Sequence, residues 1–157
     1  MTSTAHALVA GAIAAKFTDP PTAISLALVS HYIMDSVPHW DFGTNWRSRA
    51  KKVTGMYALA ETLFGIWLSY TLFRSSVPFV LWALTVAASL LPDWIETPWY
   101  IFFAHQKKHA PGDQASLVEK ISFQSYKIQS FFHAKAQLPL GILTQVVTVG
   151  FFIVLLG

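Results

Sequence analysis

Long charge-free runs dominate the chain. Val53 to Phe73 carries Glu61 as its only charge and Ala136 to Leu156 carries none. At ~1.5 Å of rise per residue, each is predicted to cross the ~30 Å hydrocarbon core of a bilayer as one helix. A third run, Val77 to Phe103, is charge-free until Asp93, with Pro78 at its start and Pro92 and Pro98 as expected kink points. It predicts a bent transmembrane helix. The N-terminal part is less regular. Ala5 to Phe17 and Thr22 to Val37 are short apolar stretches separated by Thr18-Asp-Pro-Pro21, whose prolines are placed to open a second helix. They predict either two short spanning helices or one re-entrant hairpin packed against longer ones.

A polar stretch at about 104–135 interrupts this pattern before the last run. Within it Leu117, Val118, Ile121, Ile128, Phe131 and Phe132 recur at helical spacing, and Ser116 with Glu119 fits a capping box. The expected element is an amphipathic helix that either lies on the membrane surface or folds onto the bundle. The expected fold is therefore an all-α, polytopic membrane helix bundle. It has about five membrane segments, the first two short, and one amphipathic interfacial helix, in a single integral membrane domain over residues 1–157.

Composition supports this reading. Hydrophobic residues make up 54% of the 157 positions and charged residues 12%, about half the charged share of a soluble domain. A soluble domain of this size has too little interior for so many apolar side chains. With no cysteine, disulfides, thiolate metal sites and a Cys nucleophile are excluded. The opening Met1-Thr-Ser-Thr-Ala-His6 lacks the basic start of a secretory signal, so the first apolar stretch is expected to belong to the mature protein.

Charge then orients the bundle. Nine of the eleven Lys and Arg fall in two loops, Arg47, Arg49, Lys51 and Lys52 in one and Lys107, Lys108, Lys120, Lys127 and Lys135 in the other. Both loops are expected on the cytoplasmic side of an inner membrane, with the N-terminus inside and Lys16 and Arg74 in the two outer turns. Topology thus accounts for the net charge of +3, and no nucleic-acid partner is expected; the partners are membrane lipids. Trp40, Trp46, Trp94, Trp99 and Tyr100 are expected to form an interfacial belt.

On that topology the ionisable residues gather on one side. His6, His31, Asp35, His39, Asp41, Glu61, Asp93 and His133 all map toward the inner leaflet. A carboxylate in hydrocarbon is costly unless it meets a partner, an ion or water, so Glu61 and Asp93 are candidates for function. The sharpest pattern is His31-Tyr-Ile-Met-Asp35-Ser-Val-Pro-His39-Trp-Asp41. His31 and Asp35 share a helix face, and Pro38 ends the helix so that His39 and Asp41 can fold back toward it. Imidazole and carboxylate donors suit a divalent ion: zinc first, with manganese, iron or magnesium as alternatives. The expected ligands are His6, His31, Asp35, His39, Asp93 and His133, with Glu61 or Asp41 as general base. The competing readings are a hydrogen bond to a neighbouring helix for Glu61 and a helix cap after Pro92 for Asp93. Glu96 is a weaker candidate, and His105 and His109 are expected in solvent or among headgroups.

His6-Ala-Leu-Val-Ala-Gly11, the His31–Asp41 segment and Leu90-Leu-Pro-Asp93 together resemble the small prokaryotic integral membrane proteins called membrane-bound metal-dependent hydrolases. The resemblance covers mainly the first hundred residues. It implies a membrane hydrolase whose metal is held by these His and Asp residues. The His31-x-x-x-Asp35 element is also similar to one that contributes ligands to a multi-metal site in zinc-dependent phospholipase C. The His-Arg-Gly-x-Thr-His-Ser segment that many members of the membrane family carry is absent here.

Two function classes follow. The first is a metal-dependent hydrolase acting at the cytoplasmic leaflet on a phosphoester or other ester of a lipid. The second is a non-catalytic membrane protein whose His and acids form a structural metal site or a buried polar cluster. A transporter is less favoured, since no inverted repeat is evident.

Overall fold

A computed structural model describes residues 1–41, 50–104 and 110–157. Arg47, Arg49, Trp46, His105, Lys107, Lys108 and His109 lie outside the described residues. Among the described residues the chain is all-helical, with no strand: α1 (Ser3–Lys16), α2 (Pro20–Asp35), α3 (Lys51–Phe73), α4 (Phe79–Pro98), α5 (Leu117–Phe132) and α6 (Leu140–Leu156).

The centre of the fold is α1. Thr2 caps it by accepting from the Ala5 amide, and Ala5, Ala7, Val9, Ala10, Ala12, Ile13 and Ala14 are all buried. Helices α2, α3, α4 and α6 surround it. Small residues permit this enclosure. A Cβ at Gly65 of α3 would lie 2.7 Å from the Thr4 Cα, and one at Gly11 would meet the Phe73 ring and Ser69 hydroxyl at 2.4–2.7 Å. Backbone thus meets backbone where α3 crosses the start of α1, a separation at which only glycine fits.

The sequence sets the boundaries of α2 and α5. Asp19 accepts from the Thr22 amide and Pro20 and Pro21 occupy the first two helical positions of α2, where a missing N–H costs nothing. Ser116 accepts from the Glu119 amide at 3.2 Å to open α5. Helix α4 continues through Pro92, but after Pro98 it widens into a π-helical turn, Trp99–Phe103, closed by Ala104 N–H donating to the Trp99 carbonyl at 2.7 Å. The turn rotates Trp99 inward. It is 2% exposed and packs on Phe123 and Tyr126 of α5, so it belongs to a small core rather than to the expected interfacial belt.

The outer surface is apolar. Leu63, Phe64 and Trp67 on α3, Phe79, Val80 and Leu84 on α4, and Leu143, Val146, Val147 and Val154 on α6 are all exposed, whereas α6 buries only Gly141 and Gln145. Among the described residues one helix, the continuous run Phe79–Phe103 of 25 residues, is long and apolar enough to cross a membrane; α6 is apolar but shorter at 17 residues.

Helix α5 is reversed relative to a soluble amphipathic helix. It packs on α4 through polar residues: Ser122 and Gln129 are buried, and the Ser125 hydroxyl and Gln129 amide donate to the Pro92 carbonyl at 3.4 and 2.8 Å. Its apolar residues Leu117, Val118, Ile121, Ile128, Phe131 and Phe132 all face outward. Of the two arrangements the sequence allows, contact with the bundle is present, made by these polar residues together with Phe123 and Tyr126, which pack on Trp99, while the apolar stripe faces outward.

Candidate metal centre

The end of α2 builds the site. Four residues apart on one helical face, His31 and Asp35 bring imidazole Nε2 within 3.5 Å of carboxylate Oδ2. After Pro38 the chain turns back and pairs with the segment before α6. The His39 amide donates to the Ala134 carbonyl at 3.1 Å, and the Ala136 amide to the His39 carbonyl at 2.8 Å. This short bridge sets His39 and Asp41 beside His133. Gln145 of α6 secures the same loop, since its Nε2 donates to the Trp40 carbonyl at 2.6 Å while its Oε1 accepts from the Thr2 amide at 3.0 Å.

Asp35 is the hub. Its Oδ1 lies 3.1 Å from His6 Nε2 and 3.8 Å from His39 Nε2, and its Oδ2 lies 3.8 Å from His133 Nδ1. The Met1 amine also contacts Oδ1. Asp93 enters from α4 with Oδ1 3.7 Å from His31 Nε2. All six expected ligands therefore meet, with Asp41 at their edge. His6, His31, His39 and Asp35 are buried, while the side chains of Asp93, His133 and Asp41 are 29, 18 and 10% exposed. One side of the cluster is sealed and the other is open.

The spacing suits a cation. Two ligands on one tetrahedral ion, each bonded at 2.0–2.1 Å, sit roughly 3.3 Å apart, close to the 3.1–3.8 Å separations around Asp35. Two groups of residues, His6, His31 and Asp93, and Asp35, His39 and His133, bring their ligand atoms within 4.8 Å of one another, so each could hold a metal ion.

Proton positions point the same way. The Val37 carbonyl, which can only accept, lies 2.7 Å from His39 Nδ1, so that nitrogen donates. In the neutral ring Nε2 is then a lone pair. This buried atom has no hydrogen-bond partner among the described residues and faces the carboxylates of Asp35 and Asp41 at 3.8 and 3.6 Å. A lone pair aimed at two anions needs a cation or a proton between them. His133 is prepared in the mirror sense, with Nε2 2.7 Å from Asp41 Oδ2 and Nδ1 turned toward Asp35. Burial pushes the Asp41 carboxyl up, but the imidazoles of His133 and His39 beside it and the charge of Lys135 outweigh it and hold it well below the usual carboxylate range. Burial also lowers His133, against the opposing pull of Asp41. Asp41 stays ionised and His133 stays neutral, the forms needed to orient and to ligate.

Glu61 lies elsewhere. Its Oε2 accepts from the Ser3 amide at 2.8 Å and its Oε1 from the Thr4 amide at 2.6 Å, so it caps α1 with the charge that the helix N-terminus favours. The sequence offers a functional acid or a protonated side chain hydrogen-bonded to a neighbouring helix; the structure places a hydrogen bond to a neighbouring helix, with the carboxyl group accepting from backbone amides. It nonetheless lines, with Asp41, Asp93, Glu96, Gln129 and His133, a cavity of about 130 Å³ on the open side of the cluster. At ~30 Å³ per water, this admits a few waters or a phosphate-sized group.

Gln129 is the site residue that sequence reading missed. Because its Nε2 is committed to the Pro92 carbonyl, its Oε1 is turned toward His31 Nε2 at 3.3 Å. Its position on the face of α5 opposite the apolar stripe is the one signal that could have found it. Compared with known proteins, the chain matches no family model, no curated protein and no solved structure.

Proposed function

We propose that the protein is a membrane-embedded, metal-dependent hydrolase acting at the cytoplasmic leaflet on a phosphoester or other ester of a lipid. The observation that carries this reading is the cluster's one open side: ligand groups sealed by α1 and α2 face a cavity through Asp93, His133 and Asp41. A site open on one side leaves room for water and substrate, as catalytic sites do. The apolar outer faces of α3, α4, α5 and α6 support lipid as the surrounding solvent, with the five apolar runs as membrane segments. The likeness of the His6, His31–Asp41 and Asp93 segments to membrane-bound metal-dependent hydrolases points the same way.

A bound divalent ion, zinc first, would supply Lewis acidity, polarising the scissile group and easing loss of a proton from water near neutral pH. The chain's own residues do the rest. Asp41 Oδ2, 2.7 Å from His133 Nε2, orients that ring so that its Nδ1 faces Asp35. Asp93, the most open carboxylate of the cluster, is the group placed to take a proton from a water in the cavity; with two oxygens it can do so while Oδ1 faces His31. The water oxygen joins phosphorus or the acyl carbon, the ester bond breaks, and the proton returns from Asp93 to the departing alkoxide. Lys135, at the cavity wall, offers an anionic headgroup its counter-charge.

The test is hydrolysis of phospholipids and lipid phosphomonoesters by the purified protein in liposomes with zinc or manganese. Release of phosphate, headgroup or fatty acid, abolished by chelator and by His39→Ala, is expected. The full burial of His6, His31 and His39 favours a second reading, a closed structural site. In that case no turnover appears, and His39→Ala lowers the unfolding temperature instead.

A further inference from the structure

The cluster contains two sets of ligands. His6, His31 and Asp93 form one and Asp35, His39 and His133 the other, and Asp35 also lies 3.1 and 3.5 Å from His6 and His31 of the first. Each Asp35 oxygen faces one histidine of each set: Oδ1 is 3.1 Å from His6 Nε2 and 3.8 Å from His39 Nε2, and Oδ2 is 3.5 Å from His31 Nε2 and 3.8 Å from His133 Nδ1. The carboxylate thus contacts histidines of both sets, as one shared between two ions would. From this arrangement we infer that the cluster holds two divalent cations joined by the Asp35 carboxylate, one beside His6, His31 and Asp93 and one beside His39 and His133.

The proposal rests on the metal-dependent reading above and adds the number of ions and their linkage. Two observations carry it. A single ion cannot use all four histidines and both acids, because Asp35 separates them into two groups. The two sets are also supported differently. In the His39/His133 set, His39 Nδ1 donates to the Val37 carbonyl and His133 Nε2 lies 2.7 Å from Asp41 Oδ2, so each ring has an outer partner of the kind that fixes metal-binding histidines. In the other set, Nδ1 of both His6 and His31 is buried with no hydrogen-bond partner among the described residues. The His39/His133 position is therefore the tighter one and fills first.

The experiment uses the full chain in detergent, stripped with chelator and titrated with Mn²⁺, read by metal content after desalting and by electron paramagnetic resonance. Two Mn²⁺ per chain are expected, bound in two steps. The second should convert a six-line mononuclear spectrum into an exchange-coupled one, as for ions about 3.5–4 Å apart. His6→Ala should retain one Mn²⁺ with the six-line spectrum, and the wild-type spectrum decides the matter should that variant not fold. Saturation at one uncoupled Mn²⁺ would overturn the two-ion inference and leave the one-ion reading standing. Two uncoupled Mn²⁺ would overturn the bridge. No bound Mn²⁺ would overturn both this inference and the reading beneath it.

Discussion

Helices α1 and α6 are both apolar in sequence, yet the fold uses them in opposite ways. Ten of the fourteen residues of α1 are buried, and they are mostly small. Helix α6 is richer in large apolar residues but buries only Gly141 and Gln145, leaving Leu143, Val146, Val147 and Val154 outside. The same inversion holds at the centre, where His6, His31, His39 and Asp35 are all buried. In water, burial selects large apolar side chains and excludes charge. When the surrounding solvent is lipid, large apolar residues gain nothing by turning inward, and helices meet through small and polar residues. The contrast between α1 and α6 is thus the physical basis of the membrane reading.

The sharpest way to break that contrast is Val146→Lys on the outer face of α6. A lysine near the middle of a spanning helix costs about 3 kcal/mol of insertion free energy. The variant should accumulate at well under a tenth of the wild-type level in the membrane fraction. Equal accumulation would mean that this face meets water.

Gly141 tests the inward side of the same helix. A Cβ there would lie 2.5 Å from the Trp40 amide nitrogen and 2.7 Å from the Ala136 carbonyl, both backbone atoms of the segments that carry His39 and His133. Gly141→Ala should cost about 2 kcal/mol through overpacking and weaken metal retention, read by thermal unfolding in detergent and by metal content. A Gly150→Ala control, whose Cβ would meet open space, should change neither.

Much of the site was legible because it is local. The four-residue step from His31 to Asp35 fixes a shared face, Pro38 forces the turn that returns His39, and Ser116 with Glu119 marks the start of α5. What was not legible depends on contacts between distant segments. An apolar stripe on α5 reads as a buried face, but here the buried face is the polar one, so Gln129 escaped notice. The π-helical turn that buries Trp99 arises from packing on α5, which a proline pattern alone does not encode. Glu61 looked like an intramembrane acid in need of a purpose; its partners, the Ser3 and Thr4 amides, lie nearly sixty residues away.

Glu61 also separates scaffold from site. Glu61→Ala should destabilise the fold by about 1 kcal/mol through loss of the cap and its charge at the start of α1. Turnover per folded molecule should persist, whereas Asp93→Asn should reduce turnover at least about 100-fold with little change in unfolding temperature, the scale of a lost general base. A loss of turnover in Glu61→Gln as large as in Asp93→Asn would return the base to Glu61.

The smallest effect is at the far turn. The Thr22 hydroxyl and amide hydrogen-bond Asp19 and hold its carboxyl below the usual value. Its folded proton affinity is depressed, so its contribution is complete above the unfolded value of about 3.9 and is lost as pH falls through the folded one. Asp19→Asn, which keeps the cap, should slightly flatten the acid limb of a plot of unfolding temperature against pH. An unchanged limb would show that this cap plays no part in acid stability.

The central claim is that the buried histidines and aspartates hold a divalent metal ion. Elemental analysis of the purified protein, beside His31→Ala and Asp35→Asn, tests it most directly. Transition metal bound in the wild type, lowered in His31→Ala and lost in Asp35→Asn, is the predicted result. A wild-type protein that holds no metal, even after incubation with zinc or manganese, would contradict the account and leave the cluster as a polar lock between helices.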